Sequence, residues 1–292
     1  MTTTTPETAP KRKRHIIVSI LLILWITIKT IFITYAVLFT LAATFLIFKG
    51  YRYFNDTLMK PINEVKALQT ENPVESAYMS QYRQELRDKG ESDSLIRKFV
   101  PLDSISKTLI NAVLAVEDDG FYNHPGFSLD AIVEAIEYNK TASSNKQRGA
   151  STITQQLAKN LFLSPEKSFE RKIKELGYTL LMEKYLGKDR ILELYMNYAQ
   201  WGKNIFGCEA AANIYYKKAS MNLTLTESAR MAACLAMPSK ITPLHTKSVY
   251  MGKRIMIIAN NMYLRKRLDD AGYLALTGVY PPGRDGEAEG EE

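Results

Sequence analysis

From Ile16 to Phe48 the chain is apolar on every face and carries one charge, Lys29, in 33 residues. One bilayer crossing takes about 20 residues. The run therefore predicts a single membrane-spanning helix, with Thr30–Phe48 its cleanest stretch and Lys29 near an interface, where its stem can snorkel. From Pro73 onward the apolar positions recur at helical spacing instead, and glycine, proline and capping residues break them into short helices. Met1–Pro10 and the stretch after Tyr280 lack this periodicity and read as disordered ends.

Asn72, Pro73 and Glu75 fit the N-cap, N1 and N3 positions of a helix that Gly90 can end. Ser106–Val116 spaces Leu109, Ile110, Val113 and Leu114 on one face and leads into Glu117. Asp130–Asn139 is a short helix, and Thr152 with Gln155 forms a capping box that opens another. Ser164 and Pro165 start a longer helix that runs to Leu186 and stops at Gly187. Asp189–Ala199, Glu209–Tyr216, Thr226–Met237 and Tyr250–Leu268 complete the series. Strand patterns are few and short. The expected class is mainly α, with one compact domain over residues 73–280. Before it come a basic N-terminus (1–15), an anchor (16–48) and a linker (49–72); an acidic tail (281–292) follows.

Composition sharpens this picture in three ways. An apolar share of 46% is enough for a packed core. The net charge is +7, and from Gly283 onward one arginine stands against five acids, net −4, which leaves about +11 for the rest. So basic a body suits nucleic acid, an anionic membrane surface or a phosphorylated substrate; the anchor favours the last two. Lys11–Arg14 before the apolar run outweigh Lys49 and Arg52 after it, which predicts a cytoplasmic N-terminus and an exported body. A cleaved signal has an apolar core of about 7–15 residues, so a retained anchor is the expectation. Cys208 and Cys234 are too few for a disulfide framework and read as buried thiols.

The chemistry concentrates in two blocks. Glu117 and Asp118 end a helix ahead of the Gly120 turn, with Phe121, His124 and Gly126 following. A carboxylate partly desolvated in such a turn has a raised pKa and makes a usable base, whereas a surface helix end tolerates acids without any role. His124 reads as an orienting or packed histidine. In the second block, Ser151, Thr152, Thr154, Gln155 and Gln156 place neutral donors at a helix N-terminus, where phosphate binds well. Lys159 shares a face with Gln155, and Asn160 follows. Arg171, Lys172, Lys174 and Glu175 are either a solvated i,i+4 pair with its neighbours or a second acid among cations that hold a diphosphate. Glu193 and Glu209 read as structural.

In order, these blocks resemble those of the peptidoglycan glycosyltransferases, glycosyltransferase family 51, from about Val100 to Pro238. Glu117–Gly126, Gly149–Asn160 and Arg171–Glu175 resemble the first three family blocks. Ile191–Asn197 with the glycine-rich stretch after it, and Thr226–Pro238, resemble the last two. Met196 stands where the family usually has leucine, and Trp201 where many members have phenylalanine. The order of segments resembles the family's monofunctional type, one anchor and one glycosyltransferase domain; no Lys-Thr-Gly or Lys-Ser-Gly motif of a transpeptidase is present.

The resemblance implies a lysozyme-like, mostly helical glycosyltransferase domain with a second lobe that touches the membrane. It implies that lipid II is polymerised onto lipid-linked glycan, that Glu117 is the general base and that Glu175 orients the donor side. Asp118, Phe121, His124, Ser151, Thr152, Thr154, Gln155, Gln156, Lys159, Asn160, Arg171, Lys172, Lys174 and Asn197 are the implied substrate-binding set. Tyr138–Arg148, with Lys140, Lys146 and Arg148, fits the membrane lobe, where Phe162, Leu163 and Phe169 would enter the interface. No covalent or tightly bound cofactor is implied, only a divalent cation such as Mg2+ as an aid at the diphosphate. The implied setting is a bacterial inner membrane, with cell-wall synthesis or division proteins as candidate partners and no nucleic acid. Rival readings are a lysozyme-like glycan hydrolase, which has no need of a diphosphate clamp, and an inactive scaffold, against which intact Glu117, Glu175 and Lys159 argue.

Overall fold

The computed structural model describes residues 9–141, 149–164, 166 and 168–283. Lys146, Arg148 and the tail from Arg284 lie outside the described residues. The chain divides into two units, Met1–Pro61 and Ile62–Glu292.

In the first unit α1 (Ala9–Phe54) is one helix of 46 residues, and from His15 it is long and apolar enough to cross a membrane. The hydroxyls of Thr27, Thr30, Thr34, Thr40 and Thr44 each donate to the carbonyl four residues back. Such bonds satisfy a hydroxyl that hydrocarbon cannot. A π-helical turn at Asn55–Met59 leads into α2 (Lys60–Ala67). The segment 49–72, expected as a linker, is therefore helical to Ala67. Val65 and Leu68 are buried there because they join the core of the second unit.

The second unit is mainly α, as expected. It comprises α3 (Ala77–Asp88), α4 (Lys107–Glu117), α5 (Leu129–Thr141), α6 (Ile153–Phe162), α7 (Phe169–Tyr185), α8 (Lys188–Tyr198), α9 (Cys208–Tyr216), α10 (Leu225–Cys234), α11 (Val249–Leu264) and α12 (Asp270–Thr277). A small sheet of β1 (Ile96–Arg97), β2 (Gln200–Gly202) and β3 (Ile205–Phe206) runs in the order β1-β3-β2, with β1 parallel and β2 antiparallel to β3. Helix α4 is the centre of the core. Its Leu109, Ala112, Val113 and Leu114 are buried, and α10 and α11 pack against it. Ala229, Ala232 and Ala233 keep the α10 surface low enough for that approach. Helix α6 packs between α7 and α8.

Three expected boundaries move. Helix α3 starts at Ala77, because Ser76 accepts from the Met79 N–H and is the cap; Asn72 instead accepts from Arg190. Helix α7 starts at Phe169, capped by Ser168 through the Arg171 N–H, and not at Ser164. Tyr250–Leu268 ends at Leu264, and α12 follows under an Asp269 cap. Phe162 and Leu163 face the protein: Phe162 stacks on Tyr178 with centroids 4.3 Å apart, and Leu163 is buried. Cys208 and Cys234 are buried free thiols, as expected.

Candidate active site

Helix α4 ends at Glu117, and Asp118 turns out of it into the wall of a cavity of about 490 Å³. Glu117, Asp118, Asp119, His124, Ser151 and Thr152 line this cavity, together with Asn261 and Arg265 from the C-terminal end of α11 and just after it. Glu117 has a side chain only 12% exposed. Its Oε2 accepts from Gln156 Nε2 at 3.0 Å, and its Oε1 accepts from Arg254 Nη2 at 3.0 Å. Burial pushes its pKa above the usual carboxylate value; Gln156 and Arg254 pull the other way without cancelling it.

Asp118 is tied differently. Its Oδ2 accepts the Ile153 N–H at 2.9 Å, one of the donors that a helix N-terminus leaves open. Both of its oxygens also face His124 Nε2, at 2.8 and 3.1 Å. His124 Nδ1 accepts the Gly126 N–H, so its proton sits on Nε2 and points at Asp118. His124 is thus held between Asp118 and the Gly126 turn. At the start of α6, where a phosphate site is expected, two of the open N–H groups are taken by the protein's own side chains. The Asp118 carboxylate takes the Ile153 N–H, and Thr152 Oγ1 takes that of Gln155 in a complete capping box. Thr152 Oγ1 also donates to the Gly126 carbonyl at 2.6 Å. Gly126 has φ +93°, and a Cβ there would lie 2.7 Å from Thr179.

A second cavity, of about 450 Å³, is lined by Tyr78, Gln156, Lys159, Asn160 and Tyr195 and by the Leu235–Lys240 stretch. Gln156 thus borders this space and donates to Glu117 in the other. Surrounding protein lowers the Lys159 pKa, Arg171 and Lys172 add to that, and Glu175 opposes it. Glu175 is 2% exposed and lines neither cavity; Arg171 Nη1 holds it at 2.8 Å, and Lys172 holds its other oxygen. Both of its carboxylate oxygens are thus bound to cations of its own helix.

Other expected site residues sit elsewhere. Thr154 is fully buried and donates to Glu183. Phe121 is buried under the Lys188 ammonium, 4.4 Å from the ring centroid. Lys174 pairs with Glu170 on an exposed face. Asn197 is fully buried, and its amide bridges Val100 and the Glu193 carbonyl. Conversely, the site includes Arg265 and Tyr195, which the sequence reading did not place there, and Arg254, from the stretch after Pro238 where the family resemblance is too weak to assign a substrate-contacting arginine. Arg265 Nε holds Asp119 at 2.5 Å.

The cleft carboxylates do not suit a resident divalent cation. Glu117 faces Arg254, Asp118 faces His124 and Asp119 faces Arg265. Among the described residues no group of three or more His, Cys, Asp or Glu could hold a metal.

Residues 84–263 match the transglycosylase family. The biosynthetic peptidoglycan transglycosylase of Paraburkholderia xenovorans (strain LB400) is 42% identical over 191 residues, covering 65% of this chain and 79% of that one. That of Bordetella pertussis (strain Tohama I / ATCC BAA-589 / NCTC 13251) is 43% identical over 194 residues, covering 65% and 80%. A crystal structure of penicillin-binding protein 1A from Haemophilus influenzae aligns with TM-score 0.36 and 21% identity, over 64% of this chain and 18% of that one. With a carboxylate cleft on a mainly helical, lysozyme-like domain and a match over most of its length, the chain belongs to the transglycosylase family and is a peptidoglycan glycosyltransferase.

Proposed function

We propose that the chain polymerises lipid II into linear β-1,4 glycan strands, with lipid-linked glycan as donor and undecaprenyl diphosphate as leaving group. The observation that carries this reading is Glu117, a buried carboxylate with a raised pKa in a cavity wall, joined by one amide to a second cavity that Lys159 lines. Glu117 takes the proton from the 4-hydroxyl of the acceptor N-acetylglucosamine. That oxygen attacks C1 of the donor N-acetylmuramic acid, the C1–O bond breaks with its electron pair leaving on the diphosphate, and the linkage inverts from α to β.

Lys159 meets the departing diphosphate from the second cavity, with Arg171 and Lys172 behind it. A desolvated ammonium gains more from an arriving anion than one in bulk water does. Glu175 keeps those cations in place. Helix α5 exposes Leu129, Val133 and Ile136, and α7 exposes Phe169, Ile173, Leu176 and Leu180, each set on one helical face. These faces support contact with the lipid in which the substrates are anchored. Together with the apolar α1 and its basic flank they favour a membrane-anchored enzyme with a cytoplasmic N-terminus and an extracytoplasmic domain.

Full-length protein in detergent, given labelled lipid II, is expected to form polymer that a muramidase cleaves and to leave lipid-free strands uncut. Cutting of lipid-free strands without polymer formation would overturn the reading in favour of a hydrolase.

A further inference from the structure

Resting on Glu117 as the base, we propose that Arg254 and Tyr195 are positioning residues for glycosyl transfer. Arg254 holds one carboxylate oxygen of Glu117 directly, and Tyr195 holds the other through Gln156, so that the base is kept ionised and in one orientation. Three helices converge on this carboxylate. From α11, Arg254 Nη2 donates to Oε1 at 3.0 Å. From α6, Gln156 Nε2 donates to Oε2 at 3.0 Å. From α8, the Tyr195 hydroxyl donates to Gln156 Oε1 at 3.2 Å.

The direction of the relay follows from chemistry. Tyr195 is 2% exposed, and burial, with Glu117 and Asp118 adding, holds its phenol well above its ordinary pKa. It therefore keeps its proton and donates. Its donation places the amide oxygen of Gln156 toward α8 and the amide nitrogen toward Glu117. A flipped amide would turn an acceptor onto the carboxylate and favour the protonated acid. Arg254 is bound to the base just as closely: its side chain is 19% exposed, and its buried Nε has no hydrogen-bond partner. The bond to Glu117 is the one its guanidinium makes among the described residues.

The charged and titratable groups around the base are Asp118 beside it, Arg254 on α11, Lys159 on α6 and Tyr195 on α8. Burial and Asp118 raise the Glu117 pKa; Gln156 and Arg254 lower it. Glu117 works as the carboxylate, so the rate falls as pH drops through its pKa. Loss of either lowering contact raises that pKa and moves the acid limb of the rate profile to higher pH.

The test is the pH–rate profile of lipid II polymerisation for wild type, Arg254→Gln, Arg254→Lys and Tyr195→Phe, with Glu117→Gln as control. The acid limb is expected to rise by about one pH unit in Arg254→Gln, at the low end of what a neighbouring opposite charge does. It is expected to rise less in Tyr195→Phe and to return most of the way in Arg254→Lys, with kcat changing more than KM. Polymer from Glu117→Gln would remove the base reading itself. An inactive Glu117→Gln with unmoved acid limbs in Arg254→Gln and Tyr195→Phe would overturn this proposal alone. Should Arg254→Gln fail to fold, Tyr195→Phe carries the test, because it deletes one oxygen and leaves the packed ring.

Discussion

Asp118 joins three parts of the site through one carboxylate: the end of α4, the N-terminus of α6 and the His124 turn. Asp118→Ala leaves the Ile153 N–H and the His124 Nε2–H without a partner. A loss of about 2–4 kcal/mol in stability is expected, read as a lower thermal or urea midpoint, with activity falling as well. Gly126→Ala is expected to cost about 2–3 kcal/mol by the same measurement. It forces a side chain onto φ +93° and against Thr179 and Glu183, at 2.7 and 2.8 Å. The neighbouring acids Glu117 and Asp118 were legible because they lie side by side before a glycine turn. Their different tasks were not, since a buried base and an internal helix-cap anion read alike in a sequence. Thr154 and Asn197 show the converse limit: a short polar side chain in a motif carries no sign of whether it faces substrate or the core. Arg254 and Tyr195 sit on ordinary helical faces, and Arg254 lies 137 residues from the carboxylate it holds.

Among the helices, the capping boxes at Thr152 and Thr224 were open to different degrees. Thr152 with Gln155 was readable as Thr-x-x-Gln, and the structure completes it. Thr224 with Glu227 forms an equivalent box two residues before the start that periodicity suggested for α10. Thr224→Ala is expected to cost about 1 kcal/mol in unfolding with little change in rate, because that end of α10 lines neither cavity. The starts of α3 and α7 were misplaced by one turn for a common reason: Asn72 and Ser76, or Ser164 and Ser168, are equally good caps by residue type. Tertiary contacts decide between the first pair. Arg190 takes Asn72, and Arg97 takes the carbonyls of Pro73 and Val74, which holds that stretch out of the helix. The buried Trp201 indole donates to the backbone carbonyl of residue 196 at 3.3 Å, a bond independent of which side chain stands there.

For the whole molecule, the chain is a basic, mainly helical peptidoglycan glycosyltransferase whose N-terminal helix is long and apolar enough to cross a membrane. Apolar composition and the long N-terminal run announced the anchor, but the exposed faces of α5 and α7 could not be told from core faces until the fold had assigned their sides. Replacing Phe169 and Ile173 with serine is expected to slow polymerisation several-fold when lipid II is in vesicles and to change it little in detergent. An equal loss in both would place those residues in folding and not in membrane contact. The central claim is that Glu117 is the base, and one assay tests it most directly. Wild-type protein and Glu117→Gln are given labelled lipid II in detergent, and their products are resolved by size. Polymer from wild type and at least a roughly 100-fold slower rate from the variant are predicted, in keeping with the roughly 10²–10⁴-fold that general bases supply. Polymer from Glu117→Gln at the wild-type rate would contradict the account.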